Sequence, residues 1–374
     1  MKFSLCGFSC FSSSSRKPTI NTTTPGEQNH DNLRIFSSEE LQIATDGFSS
    51  SNKIGEGAFG SVYRGQLRDG SIVAVKVLSV EVESMRGERE FITELAALCN
   101  IKHENLVKLQ GCCVDGANRY LIFDYMENNS LAQILFGKEK NRMKFSWEAR
   151  RDISLGVARG MAYLHEEFQP HLVHRDIKAS NILLDQNFTP KVADFGLSRI
   201  LTDKASHVST KVAGTLGYLA PEYAITGHLT RKSDVYSFGV LLLEIISGRS
   251  AVDFDLELGE HYLVQKAWQA YKDNKLIKVV DNTLNLNFPE EEALRFLMIG
   301  LLCVQETAKL RPRMSTVAKM LTNETDIRDV QISQPGQLPD LKNIRLHQKQ
   351  TSESSSSRER TWTTVMSLPS TTYF

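Results

Sequence analysis

Apolar residues change their spacing along the chain, and each change marks an element. Between Lys53 and about Asp124 they fall in short β-branched runs. Ile72-Val73-Ala74-Val75-Lys76-Val77 follows the two-residue turn Asp69-Gly70 and predicts a hairpin strand; Leu106 to Cys112 and Arg119 to Asp124 predict two more. One helix interrupts them, since Glu90 to Cys99 sets Phe91, Leu95 and Leu98 at helical spacing. Past Asp124 the pattern turns helical. Ile153, Val157, Met161 and Leu164 form one stripe, and Val235 to Ile246 is apolar nearly all round, which predicts a buried central helix.

The expected fold is therefore α+β and bilobal. A small antiparallel β-sheet lobe with one main helix covers residues 53–125, a larger and mostly α-helical lobe covers 126–322, and a ligand belongs in the crevice between them. Ser37-Ser38-Glu39-Glu40 is a capping box that opens a short helical flap within residues 36–52. Residues 1–35, rich in Ser, Thr and Asn, and residues 323–374, with the run Ser354 to Ser357, read as disordered tails.

Composition adds exclusions. The 44 basic residues balance the 44 acidic ones across 374 residues, so no global field favours nucleic acid, and a charged substrate has to be chosen by local patches. Cys6, Cys10, Cys99, Cys112, Cys113 and Cys303 lack zinc spacing and suit reduced thiols. No run approaches the ~20 apolar residues of a membrane span, so the chain is expected to be soluble.

The chemistry is concentrated in three strings. Gly55-Glu56-Gly57-Ala58-Phe59-Gly60 is shared with dinucleotide-binding folds, but those need a helix opening at the last glycine. Here Gly60 runs into the alternating Ser61-Val62-Tyr63-Arg64-Gly65, so the glycines cap a hairpin that lies over phosphates; a plain flexible hairpin is the blander alternative. Lys76 leaves an otherwise apolar strand and needs an anionic partner to hold it against phosphates. Glu94 on the following helix is favoured, with Glu90 one turn earlier as its rival. The third string is His174-Arg175-Asp176-Ile177-Lys178-Ala179-Ser180-Asn181, followed by Asp194-Phe195-Gly196. Asp176 is the acceptor for a hydroxyl proton, Lys178 neutralises charge on a moving phosphoryl group, and Asn181 and Asp194 offer oxygen to Mg2+, with Mn2+ as an alternative. His174 and Phe195 read as packing residues.

On these residues the chain resembles the eukaryotic protein kinases from Phe48 to about Leu321. Gly214-Thr215-Leu216-Gly217-Tyr218-Leu219-Ala220-Pro221-Glu222 resembles the end of a kinase activation segment, and Asp234-Val235-Tyr236-Ser237-Phe238-Gly239 the buried helix behind it. The resemblance pairs Arg311 with Glu222. Lys178 and Thr215 are similar to serine/threonine rather than tyrosine kinases. Ala44-Thr45-Asp46-Gly47-Phe48-Ser49, Gly111-Cys112-Cys113-Val114, Glu127-Asn128-Asn129-Ser130-Leu131 and His207-Val208-Ser209-Thr210 resemble the plant receptor-like, Pelle-type kinases, especially cytoplasmic members akin to cold-responsive protein kinase. Phe123 departs from the tyrosine that many relatives carry behind the adenine pocket.

The resemblance implies that residues 53–322 are a protein kinase domain that moves the γ-phosphoryl group of ATP to Ser or Thr hydroxyls of protein substrates. ATP is expected under the glycine hairpin, flanked by Ile54, Ser61 and Val62, with its adenine between Ala74 and Leu183 and hinge bonds from Asp124 to Met126. Among the hydroxyls between Asp194 and Glu222, Ser209 or Thr210 is the expected phosphorylation site, paired by Arg175, and Thr215 is a structural contact near the base. Lys2 excludes N-myristoylation, while Cys6 and Cys10 among Phe and Leu are candidates for palmitate, against a plain tail with two idle thiols. Acylation would place a cytoplasmic kinase at the inner face of the plasma membrane, with a membrane receptor kinase as a partner. A pseudokinase scaffold is the rival reading, and the presence of Lys76, Asp176 and Asp194 counts against it. An internal portion of a receptor is a further alternative, against which stand Met1 and the lack of an apolar span.

Overall fold

The computed structural model describes residues 33–57, 60–79, 85–137, 145–202, 207–255, 259–336 and 365–367. Cys6, Cys10, Ala58 and Phe59 lie outside the described residues. Strands β1 (Arg34–Ile35), β2 (Lys53–Gly57), β3 (Gly60–Gln66), β4 (Ile72–Ser79), β5 (Leu109–Asp115) and β6 (Asn118–Asp124) form one sheet in the order β1-β5-β6-β4-β3-β2. All neighbours are antiparallel except β1, which runs parallel to β5.

Alternation along β4 decides what each face of the sheet does. Val73 and Val75 are buried with Phe36, Leu41, Tyr120 and Ile122 on the outer face. Ala74 and Lys76 have the opposite parity and therefore turn towards the helix α2 (Arg86–Leu98), with Lys76 opposite Leu121 of β6 and Val62 of β3. That helix starts four residues before the expected Glu90, and its buried positions include Glu90, Phe91, Glu94 and Leu98. Helix α1 (Ser38–Ala44) is capped by the Ser37 hydroxyl, which accepts the Glu40 N–H. Glu40 itself reaches Arg34 at 2.5 Å.

Both expected tails differ from the structure at their inner ends. The segment before residue 36 already contains β1, and Phe36 and Leu41 are 4% and 0% exposed, so α1 is a cover of the sheet rather than a loose flap. Residues 323–336 also pack down: Ile327 and Ile332 are buried, and Ser333 donates its N–H and its hydroxyl to Gln305 Oε1. Two apolar side chains in a polar stretch are too sparse to give a period, which is why the pattern missed them. Residues Val365–Ser367 form a parallel strand beside Ala213–Thr215.

The larger lobe is built from α3 (Leu131–Leu135), α4 (Trp147–Ala162), α5 (Pro221–Thr226), α6 (Arg231–Ser247), α7 (Leu263–Lys272), α8 (Glu290–Cys303) and α9 (Met314–Leu321). Helix α6 is buried from Ser233 to Ser247, as a stretch apolar nearly all round requires. Thr230 caps it, with Ser233 completing a reciprocal box. Helix α8 lies close enough against it that a Cβ at Gly239 would come 2.6 Å from Cys303 Cβ.

Candidate active site

Asp234, wholly buried in the first turn of α6, holds the loop from His174 to Asn181. Its Oδ2 accepts the backbone N–H of His174 at 2.7 Å and lies 3.0 Å from His165 Nε2, while Oδ1 accepts the N–H of Arg175 at 2.8 Å. Burial alone would raise its pKa, but His165, His174 and these N–H groups hold it below the usual carboxylate range. Arg175 adopts φ 75°, so the chain turns sharply just before Asp176. His174 Nε2 bonds to the carbonyl of Ala193 at 3.0 Å, which makes that nitrogen the donor and leaves Nδ1 to accept from the Asp176 N–H. Its ring meets Phe195 edge-on at 4.8 Å, as packing residues would.

Asp176 is 6% exposed and fully engaged. Oδ1 accepts the Thr215 hydroxyl at 2.6 Å; Oδ2 accepts Asn181 Nδ2 at 3.0 Å and lies 3.0 Å from Lys178 Nζ. Lys178 also donates to Thr215 Oγ1 at 2.9 Å. Asn181 donates a further bond to the Asp176 carbonyl at 2.9 Å, so its amide nitrogen faces Asp176 and its Oδ1 remains an acceptor. Asp194 sits at φ 66°, ψ 73°, with its side chain 44% exposed. One amide oxygen and one accessible carboxylate are hard oxygen donors of the kind Mg2+ takes alongside phosphate and water, so this donor set fits the implied metal.

The choice between Glu94 and Glu90 does not resolve into one partner. Lys76 Nζ lies 2.8 Å from Glu94 Oε2, 2.7 Å from Glu90 Oε1 and 3.1 Å from Asp194 Oδ1. The two glutamates are four residues apart on α2 and so share its face. Burial opposes the charge of Lys76, yet the three carboxylates raise its pKa well above the ordinary value. Burial lifts Glu90 to about 7 and raises Glu94, while Lys76 overrides burial and lowers Asp194.

Gly55 to Gly57 and Gly60 to Val62 form the facing ends of β2 and β3, with Gly57 opposite Gly60 and Gly55 opposite Val62. Gly60 admits no side chain, because a Cβ there would sit 1.8 Å from the Val77 carbonyl oxygen. Ile54 is exposed on β2, Ser61 pairs with Val77, and Ala74 on β4 pairs with Phe123. Met126 is buried just after β6, and half-buried Leu183 bridges to Ser130.

Arg175 is not joined to Ser209 or Thr210 by any bond among the described residues. Its guanidinium donates to the carbonyls of Leu197 at 3.0 Å and Lys211 at 2.7 Å and to Tyr223 Oη at 2.7 Å. Ser209 is exposed and pairs in a short ladder with His228, and Thr210 Oγ1 lies 3.4 Å from the Lys211 carbonyl. The expected pair of Glu222 and Arg311 forms a two-pronged bridge at 2.6 and 2.8 Å.

Sequence reading missed Tyr218 and Glu244, which bond at 2.6 Å beneath the segment ending at Glu222, and Asp234 as the anchor of the loop. A lone aspartate and a lone glutamate in an otherwise apolar helix were the available signal, since a buried charge demands partners.

A family model described as protein tyrosine and serine/threonine kinase matches residues 48–321. The chain is 53% identical over 318 residues to cold-responsive protein kinase 1 of Arabidopsis thaliana, covering 84% of this chain and 81% of that one. It is 60% identical over 242 residues to a putative serine/threonine-protein kinase of Helianthus annuus, covering 64% of this chain and all of that one. A probable LRR receptor-like serine/threonine-protein kinase of Arabidopsis thaliana is 50% identical over 306 residues, which cover 82% of this chain but 29% of the longer protein.

Proposed function

The chain belongs to the protein tyrosine and serine/threonine kinase family and is a serine/threonine protein kinase, and we propose that Lys76, Asp176, Lys178, Asn181 and Asp194 carry its phosphoryl transfer from ATP. The observation that carries this assignment is the ring of bonds among Asp176, Lys178, Asn181 and Thr215, which fixes one carboxylate at 6% exposure. Asp176 orients the acceptor hydroxyl and takes its proton as the oxygen attacks the γ-phosphorus; the bond to the β-phosphate oxygen breaks and ADP leaves. Lys178 balances charge on the moving group. Asn181 and Asp194 would hold Mg2+, which would supply charge neutralisation at the phosphate oxygens. Lys76, tethered to α2 by Glu94, grips the α- and β-phosphates.

The hairpin glycines Gly55, Gly57 and Gly60 admit the triphosphate, with Glu56, Ser61 and Val62 on the same strands, and Ile54, Ala74, Met126 and Leu183 enclose the base. Proton acceptance of this kind is worth roughly 10²- to 10⁴-fold, and positioning and metal electrostatics supply the rest. The test is transfer from labelled ATP to a peptide library with Asp176→Asn as control. Ser and Thr peptides should be labelled, and the variant should lose at least ~10²-fold in kcat while binding ATP; an Asp176→Asn enzyme that turns over like the parent would overturn the assignment.

A phosphate on Ser209 or Thr210 is the proposed activator. In support, Arg175 already bonds the carbonyl one residue beyond Thr210, and Arg199, whose pKa is lowered by burial and by Arg175, brings a second guanidinium near. The names of the relatives support a role in plant signalling, and a membrane receptor kinase is the proposed partner. Palmitate on Cys6 and Cys10 is the proposed route to the inner face of the plasma membrane. Among the described residues no helix is long and apolar enough to cross a membrane.

A further inference from the structure

Lys76 has no donor to spare. An ammonium carries three N–H groups, and Glu90 Oε1 at 2.7 Å, Glu94 Oε2 at 2.8 Å and Asp194 Oδ1 at 3.1 Å match them one for one. The three acceptors are not equivalent. Glu94 also accepts the backbone N–H of Phe195, and Asp194 is half-exposed at the mouth of the metal site. Glu90 has neither a second donor nor access to water. Its Oε2 is buried without a hydrogen-bond partner among the described residues, its side chain is 8% exposed, and its stem lies so close to Gly196 that a Cβ there would meet Glu90 Cγ at 2.5 Å. Among the described residues only Lys76 holds this carboxylate in place.

We propose that Glu90 is a second positioning residue for Lys76: it holds the ammonium while the nucleotide is absent, and the incoming α- and β-phosphates displace it. The inference rests on the ATP reading above. Two phosphate oxygens need two of the three donors. One is freed when Asp194 turns to the metal. The other comes from Glu90, because Glu94 keeps its backbone tie and its place on α2. Displacing Glu90 gives up its charge-assisted contact with Lys76, so Glu90 competes with the phosphates for the ammonium and opposes nucleotide binding. Glu94 and Glu90, one helical turn apart, thus act in opposite senses on the same lysine.

Steady-state kinetics of the full chain against MgATP, at saturating peptide, separate the two. Glu90→Gln keeps the shape and removes the charge. KM for MgATP should fall about fivefold, the scale of a charge-assisted contact exchanged for a neutral one, and the gain should appear in KM rather than in kcat. Glu94→Gln should do the reverse, raising KM and lowering kcat. A merely structural role would move both variants in the same direction. If Glu90→Gln does not fold, Glu90→Asp, one methylene too short to hold Lys76, should lower KM about twofold because it competes less well for the ammonium. A KM that stays constant or rises in the Glu90 variant overturns the proposal. Wild-type protein that transfers no phosphate from ATP would instead overturn the reading on which it rests.

Discussion

Thr215 donates its hydroxyl to Oδ1 of Asp176 at 2.6 Å, and Lys178 joins the pair by reaching both side chains. The segment ending at Glu222 is thereby latched to the proposed proton acceptor, and a rearrangement there would be felt at the carboxylate. Thr215→Val removes the donor and leaves the shape. A hydrogen bond to a charged group is worth about 1.5–3 kcal/mol, so kcat should fall roughly ten- to a hundredfold. Thr215→Ser should recover most of it. Kinetics of the two variants side by side check this, and a Thr215→Val enzyme with parental kcat speaks against the latch.

Asp234 receives two backbone N–H groups and faces His165 from a fully buried position. Asp234→Asn replaces an anionic acceptor by an amide whose NH2 faces donors. Stability should fall by about 2–3 kcal/mol in urea unfolding, and kcat should fall with it because Asp176 loses its support. Retention of both quantities would show that the loop is held by other means.

Gly60 is closed to any side chain by the Val77 carbonyl. Gly60→Ala should push β3 away from β4 at the point where the hairpin covers the phosphates, costing about 1–3 kcal/mol and raising KM for MgATP. Calorimetric titration with nucleotide and thermal unfolding measure the two effects separately.

Glu244 carries a pH signature. Burial lifts its pKa from 4.5 to about 8, against the Tyr218 hydroxyl and the Ala251 N–H, which lower it. The native state therefore keeps a proton that the unfolded chain has released, and its contribution to stability is lost as pH rises from about 4.5 through about 8. Glu244→Gln should flatten this dependence, changing the stability difference between pH 5 and pH 8.5 by about 1–3 kcal/mol. Unfolding curves collected across that range in both proteins give the answer; parallel pH profiles would show that Glu244 does not titrate in this window.

The residues legible in the sequence are those whose chemistry is packed into contiguous strings. The glycine hairpin, the loop from His174 to Asn181 and Asp194 need only local spacing to be seen, and the buried helix announced itself by a stretch apolar nearly all round. What stayed hidden depends on distant pairs. Asp234 and His174 are sixty residues apart, and nothing local marks that contact. Glu90 and Glu94 looked like alternatives because a sequence offers one partner at a time, whereas a helical face presents both. Strand β1 is two residues long and carries no period, and Ile327, Val330 and Ile332 are too few in a polar stretch to set one.

Helix α6 holds the proton acceptor's loop through Asp234 and the substrate platform through two further side chains, since Ser237 donates to the Tyr218 carbonyl at 2.7 Å and Glu244 accepts the Tyr218 hydroxyl. One rigid rod thus serves as a common ruler for both halves of the acceptor chemistry. On the proposed assignment, the gauge between Asp176 and an incoming hydroxyl is therefore set within the helical lobe by a single buried span, apart from the sheet that carries Lys76.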